Sequence, residues 1–267
     1  MIELIKVIIL GIIQGLTEFL PVSSSAHLVL GQHLLGVEKP GITLEIFLHI
    51  GTLVSVFIVF WKDILEILKF KQEYRKFTLF LIIGTIPAVV VGLGFKGFFE
   101  GIFSSLYVVG FMLLITGSLL WISDRIHNTH KKIEDMTLAD SIVVGCAQAF
   151  AIFPGISRSG TTITAGLLMK LNRDVAARFS FLLSIPVIAG AALLDIMELL
   201  KLNSQDPSIM QELNMFNIGI GTIFSGITGY FAIRFLLMLI KKEKLSYFAY
   251  YCWTVGTLTL LYMFFMV

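Results

Sequence analysis

The chain has 267 residues, 57% of them hydrophobic and only 14% charged, where a soluble domain carries roughly a quarter charged. A formal charge of +2 excludes a nucleic-acid-binding surface and points to no soluble macromolecular partner. The two cysteines, Cys146 and Cys252, lie in apolar segments without a CxxC or Cys/His cluster, so disulfide and zinc chemistry have no support and both read as packing residues.

Taken in chain order, the first element is an apolar segment over 7–35, interrupted at 21–27 by a polar elbow. Neither flank reaches the roughly 20 apolar residues that a transmembrane helix needs. Its start resembles a signal peptide, but it contains Glu18 and runs into a second apolar stretch without a small-residue cleavage site, so it is expected to be retained. Three unbroken spans follow at 43–60, 77–95 and 106–123, then a hydrophilic connector over 124–139 that carries His127 and His130. Asp140 before Ser141 marks a helix start. A second broken segment covers 141–169, interrupted at 154–162, and three further spans lie at 176–200, 216–240 and 247–267. The expected fold is therefore all-α: a polytopic membrane protein in a single domain over 1–267, with six transmembrane helices and two re-entrant helix hairpins.

The order of elements repeats. Gly11 and Gln14 recur as Gly145 and Gln148, and Phe19, Pro21 and Ser24 recur as Phe153, Pro154 and Ser157 with the spacing kept to within one residue. Further on, 83–86 (IGTI) recurs at 220–223, and Gly117-Ser118-Leu119 resembles Gly256-Thr257-Leu258. This predicts internal repeats over about 1–123 and 140–267. A helix that enters, unwinds and leaves on one side gives each half an odd number of crossings, so the second half is inverted, the plan that places sites at the midplane where repeats meet. Lys and Arg divide fifteen to four between the two sides, with Arg158 set apart because it lies inside the second elbow. The positive-inside rule then puts both termini and the mouth of the first elbow outside the cytoplasm, and the second elbow enters from the cytoplasmic side to meet the first.

The first elbow places Glu18, the hydroxyls of Ser23, Ser24 and Ser25, and His27 within ten residues, with Gln14 on the same helix face as Glu18. An ionisable group at bilayer depth is costly and is by default a functional hypothesis; the structural alternative is that Glu18 pairs internally and His27 bonds a carbonyl. In the second elbow Arg158 stands among Ser157, Ser159, Gly160 and Thr162. An arginine fork and the free N–H groups of residues 157–160 at a helix start are what a phosphate requires, the alternative being that Arg158 only neutralises Glu18. Glu45 and His49, four apart near the end of a span, either border the site or form an interfacial pair.

At residues 14–27 and 154–162 together, the sequence strongly resembles the undecaprenyl-diphosphatase family, also called bacitracin-resistance proteins. Its (Glu/Gln)-x-x-x-Glu motif stands here at Gln14 to Glu18 and its Pro-Gly-x-Ser-Arg-Ser-x-x-Thr motif at Pro154 to Thr162, and the resemblance covers essentially the whole chain. It implies hydrolysis of undecaprenyl diphosphate to the monophosphate, recycling the lipid carrier of cell-wall synthesis in a bacterial plasma membrane. It also implies a divalent cation, with magnesium expected and calcium the alternative. Some members carry Glu at the position of Gln14, which leaves Glu18 as the one charged metal ligand here. A single carboxylate with the diphosphate suffices for magnesium, which keeps much of its water.

On this reading Glu18, Ser24, His27 and Arg158 are catalytic, and Gln14, Ser23, Ser25, Ser157, Ser159, Gly160 and Thr162 bind substrate. His27, one turn from Ser24, takes a proton from Ser24 or from water; Ser24, His27 or water is the attacking group, with Ser24 ranked first. The diphosphate enters from the extracytoplasmic mouth while its tail stays in lipid. No histidine follows His130, which excludes the type 2 phosphatidic acid phosphatase arrangement. The rival is a polyprenyl-phosphate transporter or flippase, because inverted repeats with broken helices are typical of secondary transporters. The Ser24 and His27 pair beside Glu18, which transport would not require, favours the enzyme. A homodimer is compatible with the sequence.

Overall fold

The computed structural model describes residues 2–37, 41–69, 71–102, 105–205 and 214–266. Twelve helices are described: α1 Ile2–Phe19, α2 Ser24–Leu35, α3 Gly41–Val59, α4 Trp61–Leu68, α5 Gln72–Gly94, α6 Lys96–Ile102, α7 Leu106–Ser123, α8 Leu138–Phe150, α9 Arg158–Leu168, α10 Arg173–Gln205, α11 Met215–Lys241 and α12 Ser246–Met266. Among the described residues there is no strand, only an isolated bridge between Lys131 and Leu171. The protein is an all-α polytopic membrane protein. Helices α5, α7, α10, α11 and α12 are each long and apolar enough to cross a bilayer, and α3 makes a sixth span together with α4, from which it departs by an 80° bend. These are the six spans expected from the sequence. Lys39 of the charge tally and Val267 at the end of the last predicted span lie outside the described residues.

Local sequence accounts for where the helices differ from expectation. Helix α1 begins at Ile2 rather than Val7, because Glu3 and Lys6 pair one turn apart at 3.2 Å and carry the helix through a charged turn that hydropathy alone rejects. Helix α8 starts before Ser141, at Leu138. Thr137 caps it and Asp140 reaches back to the Thr137 N–H at 2.8 Å, a capping box. Both elbows are shorter than the sequence suggests, 20–23 and 151–157. Ser23 and Ser157 act as caps that accept the N–H of Ala26 and Gly160, so helix resumes at once. Ser24 and His27 therefore stand on the first turn of α2, and Arg158 to Thr162 on the first turns of α9.

Close backbone contact holds the bundle together. A Cβ on Gly11 of α1 would lie 2.5 Å from the Gly221 carbonyl oxygen of α11, and one on Gly145 of α8 would lie 2.5 Å from that of Gly84 in α5. Both pairs join one repeat motif of one half to the other repeat motif of the other. The same crossing recurs between α7 and α12, where a Cβ on Gly117 would lie 2.9 Å from the Ala249 carbonyl oxygen and one on Gly256 would lie 2.8 Å from that of Gly110. Small residues are the means by which helices approach in a bilayer, where burial of apolar surface drives little association. Hydroxyls add bonds across the neighbouring seam of α3 and α11, Ser55 to the Gly226 carbonyl at 2.7 Å and Ser225 to the Leu48 carbonyl at 2.8 Å. Around the hairpins the core is aromatic, with Phe181 of α10 against both Phe19 and Phe60.

Candidate active site

The two elbows meet in the interior. Gly155 donates its N–H to Ser25 Oγ at 3.3 Å, and a Cβ on Gly160 would come within 3.2 Å of Pro21. Gly155 adopts a φ of +101°, a backbone conformation that a side chain disfavours, and a Cβ there would come within 2.7 Å of the Val109 carbonyl oxygen. Thr116 on α7 fixes this turn by donating to the Gly155 carbonyl at 2.9 Å and accepting the Ser157 N–H at 3.1 Å. Ser23 likewise sits at a positive φ of 71°, with its hydroxyl 3.1 Å from Ser25 Oγ. Cys252 donates to the Pro21 carbonyl from below and is buried, whereas Cys146 is exposed.

Glu18 is the centre of the arrangement. It is buried at the end of α1, and its Oε1 accepts Arg158 Nη2 from the second elbow at 3.0 Å. Its Oε2 accepts Ser24 Oγ at 2.6 Å and Gln14 Nε2 at 3.1 Å. The pair Glu18–Arg158 is thus an ion pair across the junction of the halves, closed over by helices from both. His49 Nε2 lies 3.8 Å from Glu18 Oε2, so α3 also borders the carboxylate. Glu45 does not pair with His49 through its side chain: its carboxylate takes Gln32 Nε2 at 2.8 Å, and its carbonyl takes His49 Nδ1. Ser180 on α10 supports the second elbow, holding Thr162 Oγ1 at 2.6 Å and offering its carbonyl to Arg158 Nη1 at 3.5 Å.

Of the two proton sources expected for His27, Ser24 and water, Ser24 is not bonded to it. Ser24 donates to Glu18, and His27 is engaged at both nitrogens, Nδ1 with the Ser23 carbonyl at 2.8 Å and Nε2 with the Tyr251 hydroxyl at 2.8 Å. A carbonyl can only accept, so Nδ1 donates to it, and when the ring is neutral Nε2 accepts from Tyr251. Tyr251 of α12 also lies parallel to the imidazole, 5.5 Å between ring centres and 13° between planes. The four N–H groups of the second elbow divide in the same way. Those of Ser157 and Gly160 are taken by Thr116 Oγ1 and Ser157 Oγ. Within residues 157–160, the described hydrogen bonds give no acceptor to the N–H groups of Arg158 and Ser159.

Among the described residues no cluster of three or more His, Cys, Asp and Glu side chains forms a metal cage. The donor set nonetheless fits a hard cation. Gln14 is fully buried and its Oε1 has no partner, which leaves an acceptor oxygen beside the Glu18 carboxylate. Carboxylate and amide oxygens suit magnesium or calcium, and the missing ligands would be water and substrate oxygens.

Of the sequence-derived residues, Gln14, Glu18, Ser24 and Arg158 converge directly, while Ser23, Ser25, Ser157, Ser159, Gly160, Thr162 and His27 lie in or beside the elbows and bond to other partners. Sequence reasoning left His49 undecided and missed Thr116, Ser180 and Tyr251, which lie on span helices remote from both motifs. Only the polarity of His49 and Ser180 within apolar spans marked them.

Over residues 7–258 the sequence matches the family described as Bacitracin resistance protein BacA. Among curated proteins it is 50% identical over 259 residues to the undecaprenyl-diphosphatase of Halothermothrix orenii, covering 97% of this chain and 98% of that one. It is 43% identical over 274 residues to the undecaprenyl-diphosphatase of Alkaliphilus metalliredigens, with 96% and 98% covered. It is 44% identical over 256 residues to undecaprenyl-diphosphatase 4 of Bacillus cereus, with 96% of each covered.

Proposed function

The chain belongs to the bacitracin resistance protein BacA family, and on that premise we propose that it hydrolyses undecaprenyl diphosphate to undecaprenyl phosphate and inorganic phosphate. The observation that carries this reading is the Glu18–Arg158 pair, with the Ser24 hydroxyl bonded to the same carboxylate.

Arg158 presents a planar fork to phosphate oxygens, and the free N–H groups of Arg158 and Ser159 at the start of α9 add two donors and a favourable dipole. Incoming phosphate competes with Glu18 for the guanidinium. When Arg158 turns to it, the Glu18 carboxylate is left facing the Ser24 hydroxyl and is the group in reach to take its proton. Ser24 Oγ then attacks the terminal phosphorus, the bond to the bridging oxygen breaks, undecaprenyl phosphate leaves, and water releases the phosphate from Ser24. Glu18 and Gln14 Oε1 would hold a divalent cation, which when bound would neutralise charge on the diphosphate, the main contribution a phosphoryl-transfer site makes. His27, held in place by Ser23 and Tyr251, borders this chemistry. Ser23, Ser25, Ser157, Ser159, Gly160 and Thr162 shape the phosphate cradle. The lipid tail stays in the bilayer. The site serves the extracytoplasmic face of a bacterial plasma membrane, supported by the fifteen-to-four division of basic residues, and the reciprocal glycine contacts support reading the halves as inverted repeats.

Phosphate release from undecaprenyl diphosphate by the purified protein, with magnesium and with chelator, tests the reading. Release that is lost with chelator and in Glu18→Ala, His27→Ala and Arg158→Ala variants that remain folded supports it. A wild type that binds the lipid without releasing phosphate overturns it in favour of lipid transport.

A further inference from the structure

At the end of the bundle where the α7–α8 connector, the 169–172 turn and the 242–245 turn gather, a cavity of about 650 Å³ opens between α3 and α11. Ile58, Val59, Leu237 and Met238 give it an apolar floor, and Arg234, Lys241 and Lys242 stand on its wall with Tyr230. No carboxylate lines it. Lys241 has Asp174 at 3.5 Å, outside the cavity. Among the described residues Lys242 forms no ion pair, and Arg234 has only neutral company: its Nη1 donates to the Tyr230 hydroxyl at 2.6 Å, and its guanidinium lies 5.6 Å from that ring's centre.

Arg234 is the telling residue. It lies seven residues before the end of α11 at Lys241, so about 10 Å inside a span-length helix. It is exposed to the cavity rather than packed away. A guanidinium at that depth is costly unless an anion meets it, and among the described residues no carboxylate pairs with it. Such an anion must carry an apolar body to occupy the floor beside Ile58 and Leu237. Basic pockets between transmembrane helices with these features receive anionic lipid headgroups.

We infer that this cavity is a binding site for an anionic glycerophospholipid, its phosphate on Arg234 and Lys242 and an acyl chain along α3 and α11. It shares no residue with the Glu18–Arg158 site, so the lipid is a structural or regulatory ligand rather than substrate. Native mass spectrometry of the full chain, purified in detergent and titrated with phosphatidylglycerol or phosphatidylcholine, tests this. Wild type is expected to take up one phosphatidylglycerol in preference to phosphatidylcholine. The doubly substituted Arg234→Ala, Lys242→Ala protein is expected to lose that preference by about 5- to 30-fold, at roughly 1 kcal/mol for each basic residue. Arg234→Lys keeps a charge and is expected to retain a preference. Equal uptake of the two lipids by wild type, or an unaltered preference in the double variant, overturns the proposal. So does displacement of the bound lipid by inorganic phosphate alone, which would mark a site for free anion. Melting curves of the variants establish that they are folded, and the readout does not depend on phosphate release, so failure here leaves the hydrolase reading untouched and the reverse holds too.

Discussion

Glu18 has four neighbours that point at it from four helices, Gln14 on α1, Ser24 on α2, His49 on α3 and Arg158 on α9, and each makes a different demand on substitution. Arg158→Ala removes the donor fork and leaves a buried carboxylate unpaired. It is expected to lower kcat by about 10²- to 10³-fold, the range for removing one charge-stabilising donor, and to lower the melting temperature, since breaking a buried pair costs about 3–5 kcal/mol. Arg158→Lys separates the two effects, because a point charge restores the pairing but not the planar fork; activity should stay low while the melting temperature recovers. Tyr251 acts through His27 and is a positioning residue. Tyr251→Phe keeps the stacked ring and removes one neutral hydrogen bond, worth about 1 kcal/mol, so kcat should fall roughly fivefold. Steady-state kinetics check this: a change confined to KM would show that Tyr251 only shapes substrate entry. Glu18, Ser24, His27 and Arg158 were all legible in the sequence because ionisable or clustered hydroxyl side chains are conspicuous in apolar surroundings. Tyr251 was not, since an aromatic in a span reads as lipid contact.

At the scale of helices, the site depends on how closely α1 and α8 approach their partners. Gly11→Ala places a Cβ 2.5 Å from a backbone carbonyl that cannot rotate away, and Gly145→Ala does the same in the other half. Overpacking of this kind costs about 1–3 kcal/mol, so each variant should melt several degrees below wild type in detergent, and their similar effect would support the equivalence of the halves. Gly219→Ala, where a Cβ meets open space, is the control and should leave the melting temperature unchanged. The helix limits were less legible than the helices. Hydropathy put the elbows at 21–27 and 154–162, but serine caps restart α2 and α9 earlier, which aims Ser24 and Arg158 from rigid first turns instead of loose chain.

For the molecule as a whole, sidedness is the open consequence of its charge distribution. The connector between α7 and α8 is expected to face the cytoplasm. His130→Cys in a Cys146→Ser background should react with a membrane-impermeant maleimide in inside-out vesicles and not in intact cells. Labelling in intact cells instead would reverse the orientation and put the site on the opposite face from that argued above.

Composition, the lengths of the apolar runs and the two matched motifs were enough to establish from sequence alone an all-α membrane protein with six spans, two broken hairpins and a phosphate-binding chemistry, because each of these rests on local properties: hydropathy over about 20 residues, helical spacing, and the cost of charge in lipid. Which groups bond to which was decided only by tertiary structure. Ser24 is three residues from His27 in the chain yet bonds to Glu18, and His27 bonds instead to Tyr251, some two hundred residues away. Those choices follow from the close glycine-mediated packing of α1 on α11 and α7 on α12, a property of surfaces brought together by folding that no local window of sequence contains.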